Sequence, residues 1–235
     1  MKKALKIISI ISGIVILAVL VTAVLFPALP TYFRVKKNCP HINDTMSVYK
    51  GDDISVPEDF IQAEIKGLII KAPDGTRNSE SDMIPFKDGK NFMVMVSQSQ
   101  LADYSFYDEE TSKYSKQEYE HFYRIINGDI PENSLDNIKI LRDMTLKDCL
   151  KLRGTDIKIF EELAESKEIV SEIETVSTYE KGDISGIICN VDNGGKTKQY
   201  LNLMFNYGDY EYIVTVIGED TEIVKQVIES VQPTD

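Results

Sequence analysis

Two histidines, His41 and His121, and three cysteines, Cys39, Cys149 and Cys189, are the side chains of this 235-residue chain best suited to proton transfer or nucleophilic attack near neutral pH. A Cys–His pair would have to join Cys149 or Cys189 to His121. Both cysteines lie inside apolar patterns, where a thiol behaves as a small hydrophobe. His121 stands beside Phe122, off the apolar stripe of its helix, and reads as a solvated histidine. The cysteines are odd in number, with no Cys-x-x-Cys, which matches neither a disulfide framework nor a zinc site. A Cys149–Cys189 bridge would need a helix and a strand to bring the two together.

Paired carboxylates are frequent: Asp52-Asp53, Asp108-Glu109-Glu110 and Glu161-Glu162. Among 38 acids such adjacency needs no function, and a glycosidase requires two carboxylates facing each other across a cleft, which spacing does not reveal. Asp108-Glu109-Glu110 and Asp192-Asn193 offer loop oxygens to a cation, but neither has the ligand spacing of an EF-hand loop. No Gly-x-Ser-x-Gly, His-Glu-x-x-His or phosphate-cradling glycine loop occurs, and Gly194-Gly195 belong to a hairpin turn. No catalytic residue, cofactor-binding residue, cofactor or metal ligand is therefore assigned. Aromatic residues crowd the stretch from Tyr104 to Tyr123. Those at helical spacing belong to a core, whereas Tyr104, Phe106 and Tyr107, set in an acidic loop, form a candidate partner-contact patch.

Whatever chemistry the chain performs is positioned by its N-terminus. Ile7 to Phe26 is an uncharged stretch of twenty residues preceded by Lys2, Lys3 and Lys6. As a helix it spans about 30 Å, the thickness of a bilayer's hydrocarbon core. Val21-Thr22-Ala23 offers a signal-peptidase site, but the apolar run continues through Val24, Leu25 and Phe26, which favours an uncleaved signal-anchor. Three basic residues precede the span and Arg34, Lys36 and Lys37 follow it, so charge bias alone leaves orientation undecided. The lysine-led start has the form of an export signal, which places residues 1–6 in the cytoplasm, the anchor at 7–26, a juxtamembrane tether at 27–51 with Tyr32 and Phe33 at headgroup level, and an extracytoplasmic domain at 52–235. The expected location is thus the cell membrane, single-pass.

The first 37 residues hold six basic side chains and no acid, leaving 20 basic against 38 acidic residues beyond them, a net charge of about −18. So acidic a domain disfavours nucleic acid and anionic lipid as general partners. It suits solubility or a basic partner.

The elements of that domain follow from periodicity. Ile54 and Val56 read as a short strand, Glu64 to Ala72 as a second and Phe92 to Val96 as a third with two apolar faces. Ser115-Lys116-Gln117-Glu118 is a capping box opening a helix that Asn127-Gly128 stops. After a loop through Pro131, Thr145 to Asp148 starts another helix ending at Gly154, and a third begins near Asp156 with Ile157, Phe160, Leu163 and Ala164 as its stripe. Strands at Glu172–Lys181, Ile184–Val191, Gln199–Tyr207 and Tyr210–Ile217 are joined by short turns and form an antiparallel meander. A helix from Glu219 to Val231 closes the chain. The fold class is α+β: an antiparallel sheet of the C-terminal meander plus the N-terminal strands, covered by helices on both faces as a three-layer α/β/α sandwich, and preceded by one transmembrane helix.

Ser55-Val-Pro-Glu-Asp-Phe60, the helices, the meander and the closing strand and helix from Tyr210 to Val231 together resemble the PsbP-like family of α/β/α sandwiches over residues 53–232. That resemblance implies an extrinsic accessory or interaction protein, anchored at the membrane in bacterial members. With the anchor, it yields the expected function: a membrane-tethered, non-catalytic binding module that meets a protein partner at the membrane surface. The alternatives are an envelope hydrolase using carboxylates and an accessory subunit of another membrane protein.

Overall fold

A computed structural model describes residues 21–22, 24–51, 54–78, 81–88, 91–191 and 198–234. Most of the expected anchor, the Asp52-Asp53 pair and the Asp192–Gly195 turn lie outside these residues. Among the described residues no helix is long and apolar enough to cross a membrane. The chain divides into two compact units. One comprises Met1–Asp44, Tyr107–Ile130 and Met144–Glu168, the other Thr45–Phe106, Pro131–Asp143 and Ile169–Asp235.

The first unit is helical. Helix α1 (Leu29–Asn38) starts with a proline in its first turn and ends on Lys36 and Lys37, which suit the negative end of its dipole. It buries Thr31 and Val35, one turn apart. Helix α2 (Lys116–Asn127) has the expected capping box, Ser115 accepting from the Glu118 amide and Glu118 from that of Ser115, and stops at Gly128 with φ 90°. Helix α4 (Thr155–Ile173), most of it in this unit, buries Ile157, Ile159, Phe160 and Ala164. Its Lys167 is buried, and the ammonium donates to the carbonyls of Ile42 (2.9 Å) and Met144 (2.8 Å). The predicted helix after Thr145 is only a 3-10 turn, Asp148–Lys151, with the Thr145 amide and hydroxyl both donating to Asp148. Gly154 follows too closely for a second α-turn to form.

The second unit is built on strands. Among the described residues a seven-stranded sheet runs β1 (Ser47–Val48), β6 (Glu174–Lys181), β7 (Ile184–Val191), β8 (Gln199–Tyr207), β9 (Tyr210–Gly218), β5 (Phe92–Gln100), β4 (Phe86–Asp88). The meander β6 to β9 is antiparallel as expected. The sheet as a whole is mixed, not antiparallel, because β1 pairs parallel to β6. The N-terminal strands are also corrected. Ile54 and Val56 form no strand. Glu64 to Ala72 is a hairpin: β2 (Ile61–Ile65) and β3 (Leu68–Ala72) are joined by Lys66 and Gly67, both at positive φ (51° and 78°), the geometry of a two-residue hairpin turn. This hairpin does not extend the main sheet. It forms a second one with β10 (Gln232–Pro233).

A further helix, α3 (Ser134–Asp143), occupies the stretch read as loop, and Asn133 caps it by accepting from the Asp136 amide at 2.9 Å. Its Leu135 and Ile138 pack with Val176, Ile187, Cys189 and Met204 on one face of the sheet. On the other face Leu201, Leu203, Phe205, Tyr212, Val214 and Val216 join β2 and β3 and helix α5 (Thr221–Glu229), which contributes Val224, Val227 and Ile228. Asp220 caps α5 through the amides of Glu222 and Ile223. Gly186 faces Phe205 across β7 and β8, and a Cβ there would collide with the Met204 carbonyl and the Cβ of Phe205. Backbone cannot yield cheaply, so Gly186→Ala is expected to cost about 2 kcal/mol or more, read as a lower urea midpoint at unchanged slope.

Candidate functional site

Strand β6 ends on Tyr179, Glu180 and Lys181, before Gly182 turns the chain at φ 55°. Beyond β1, the Tyr49 amide continues the parallel pairing by donating to the Thr178 carbonyl at 2.9 Å, which sets Tyr49 beside Tyr179 with ring centroids 5.8 Å apart. Helix α5 delivers Glu229, one residue past the core-facing Ile228 and only 3% exposed. Lys181 donates to the Glu229 carboxylate at 2.9 Å and also to its main-chain carbonyl, capping the end of the helix. These residues, with Gly51, Ile54 and Glu180, surround a cavity of about 200 Å³.

Three polar atoms of this site are shielded from solvent and lack a hydrogen-bond partner: the hydroxyls of Tyr49 and Tyr179 and Oε1 of Glu229. Most buried polar groups in folded proteins are paired, and the Tyr179 hydroxyl and the Glu229 carboxylate are a donor and an acceptor set beside each other. Burial, and then the charge of Glu229, push Tyr49 up to about 12, and the same causes raise Tyr179. The Glu229 carboxylate is close enough to Tyr179 to act on its ionisation, although no well-aligned hydrogen bond joins them. Gly51 is needed for close approach, since a Cβ there would strike Oε1 of Glu229 and the ring of Tyr49. A purely structural role, an ion pair closing a helix end, explains Lys181 and Oε2. The phenol O–H groups are donors set beside that same carboxylate.

The residues singled out from sequence lie elsewhere. Tyr104, Phe106 and Tyr107 are half-buried; the first two belong to the strand-rich unit and Tyr107 to the helical one, where its ring lies 6.1 Å from Tyr119. Tyr104 lines a second cavity, of about 240 Å³, with Ser99, Ser134 and Glu211. Glu211 there accepts from the Leu135 amide at 3.2 Å and so serves the start of α3. His121 is largely exposed but not merely solvated, because its Nδ1 lies 3.1 Å from both oxygens of the buried Asp156. His41 is 2.9 Å from Asp44, and its amide donates to Glu168 at 2.8 Å. All three cysteines are free and buried. Burial, reinforced by nearby glutamates, raises Cys39, Cys149 (to about 11) and Cys189 (to about 12), which keeps them as inert thiols.

Asp108 holds the loop around it, accepting from the Glu110 amide and the Thr111 hydroxyl, bonds that lower its pKa. Among the described residues no group of three or more His, Cys, Asp or Glu side chains could hold a metal ion. One Ser-x-x-Lys, Ser47 to Lys50, escapes the sequence reading, but it starts on a strand. That strand ends at Val48, short of Lys50, and the Ser47 hydroxyl bonds that of Ser177 at 2.7 Å.

Removing the cation of the site exposes its cost. Lys181→Met leaves Glu229 buried without a positive partner and is expected to lower stability by roughly 3 kcal/mol in a urea titration, whereas Lys181→Arg keeps most of it. The raised phenols set a pH dependence. Their folded pKa values exceed the unfolded value near 10, so their contribution is complete below about pH 10 and is lost as pH rises toward about 12. Tyr49→Phe should flatten that decline, as measured by unfolding midpoints across the alkaline range.

Compared with known proteins, the chain matches no protein-family model, and no curated protein matches it.

Proposed function

We propose that the chain is a membrane-tethered binding or accessory module, held by Ile7–Phe26 with the domain that follows outside the cytoplasm. The observation that carries this reading is a run of exposed apolar side chains where the uncharged stretch enters the described residues. Val21, Val24, Leu25 and Phe26 are between 48% and 78% exposed, and Phe33 on α1 is 63% exposed. Apolar residues left open over so short a span favour lipid as their neighbour. Lys36 and Lys37, also exposed, lie just beyond them, at the height where basic side chains meet headgroups. The acidic domain that follows is repelled by anionic lipid and so stands off the surface.

The resemblance to PsbP-like sandwiches belongs to the same proposal. On it, the seven-stranded sheet is the middle layer, with α3 on one face and α5 with the small sheet on the other. A non-catalytic role is supported by three buried thiols whose raised pKa values leave them without nucleophilic character. Tyr104, Phe106 and Tyr107, each half-buried, are the proposed surface for a protein partner.

Protease added to wall-stripped but intact cells should degrade the domain. Survival until lysis would reverse the orientation. Crosslinking in living cells followed by mass spectrometry should return the same membrane-proximal protein in repeated experiments, and no reproducible partner in any growth state would remove the accessory role.

A further inference from the structure

The cavity where β5 leaves the sheet beside the start of α3 holds a carboxylate that the chain does not balance. Glu211 is carried there by β9, opposite Ser99 of β5, and is only 7% exposed. Its Oε2 accepts from the Leu135 amide at 3.2 Å. Among the described residues no lysine, arginine or histidine forms an ion pair with it, and none lines the cavity. A buried carboxylate costs stability unless a cation or several hydrogen bonds compensate it, and one neutral amide falls short of that. Closing the start of α3 accounts for Oε2; Oε1 makes no hydrogen bond with the described residues and is not shielded from solvent. A second carboxylate, Asp103, is exposed at the rim on the 3-10 turn Leu101–Asp103, which the Leu101 amide ties to the Asp209 carbonyl at 2.9 Å.

We propose that this cavity receives an arginine side chain of a protein partner, whose guanidinium meets Glu211 at depth and Asp103 at the rim. The inference rests on the reading of this chain as an accessory module, with Tyr104, which lines the same cavity, in its contact surface. Charge carries it. Two carboxylates and no base line the space, and the positive end of α3 offsets only about half of one charge. The surrounding domain, at about −18, steers basic partners toward it. A guanidinium brings N–H donors and no acceptor, and the hydroxyls of Ser99 and Ser134 line the same space as further acceptors. It is also less strongly hydrated than an ammonium, so entering a cavity costs it less. About 240 Å³ is room for the guanidinium and the last methylenes of its stem, given that a water takes about 30 Å³. An anion is repelled by the same two carboxylates, and a hard divalent cation gathers more carboxylate oxygens than they supply.

The test titrates the full chain in detergent micelles, at about 0.15 M salt to screen the outer surface, and follows the amide resonances of Ser99, Ser134 and Leu135. n-Butylguanidinium stands for the arginine side chain, n-butylammonium for lysine and n-butylurea for a neutral isostere. Saturable shifts with n-butylguanidinium are expected, with n-butylammonium roughly threefold weaker or more and n-butylurea about tenfold weaker or more. Glu211→Gln keeps an oxygen for the Leu135 amide and should weaken binding about tenfold. Asp103→Asn, at an exposed position, should weaken it about two- to threefold and serves if the Glu211 variant does not fold. No saturation below roughly 20 mM, equal binding of n-butylammonium or n-butylurea, or unchanged affinity in either folded variant overturns the proposal. In living cells Glu211→Gln should cut the yield of the crosslinked partner several-fold. An undiminished yield overturns the arginine contact and leaves the accessory role standing. No partner from either chain, with the titration still saturating, removes the accessory role and the protein source of the guanidinium but not the site.

Discussion

A β-sheet with apolar side chains on both faces cannot stand in water, and the strand-rich unit follows from that constraint. In β7, Ile184 and Ile188 point one way while Ile187 and Cys189 point the other, all of them buried. Each face therefore needs a cover made of apolar residues at the right spacing. Helix α3 meets one face with Leu135 and Ile138. Helix α5 and the β2–β3 hairpin meet the other, where the stacked rings of Phe205 and Tyr212 lie 5.3 Å apart. The Tyr212 hydroxyl donates to the Lys66 carbonyl and accepts from Gln98, tying the hairpin turn to the large sheet. Ser230 does the same for the end of α5, bonding both the amide and the carbonyl of Lys71.

The candidate site is a by-product of how that cover ends. The apolar stripe of α5 finishes at Ile228, and Glu229 is carried under with it because the helix is pinned at Ser230 a residue later. A carboxylate buried this way needs a cation, and Lys181 reaches it from the last position of β6. Strand β1, by pairing parallel to β6, brings Tyr49 to the same place, and Gly51 lets the chain pass close to the carboxylate. Three segments distant along the chain thus converge on one cavity, and its buried oxygens are what the fold leaves for them to satisfy.

The helical unit handles buried charge differently. Lys167 is buried with its ammonium divided between two main-chain carbonyls, and Glu168 accepts the His41 amide. Both side chains hold backbone that belongs to no helix-long ladder. Arg34 reaches Glu161 at 2.5 Å on the outside of the same unit.

Local patterns in the sequence determined the α2 capping box, the β6–β9 meander with its inward and outward faces, and the stripe of α5. Each of these depends on residues within about ten positions of one another, where period and turn chemistry act directly. Two short-range signals were present and missed: Asn133 with Asp136 announces α3, and Lys66-Gly67 announces a hairpin turn in what reads as a single strand. The cavity was not legible. Glu229 is one of 38 acids, at a helix end where a solvated side chain is the ordinary expectation, and its partner Lys181 lies 48 residues away. The pairing of β1 with β6 spans about 130 residues and leaves no local trace. Only tertiary structure decides which charge is buried, because burial depends on neighbours that the chain supplies from elsewhere.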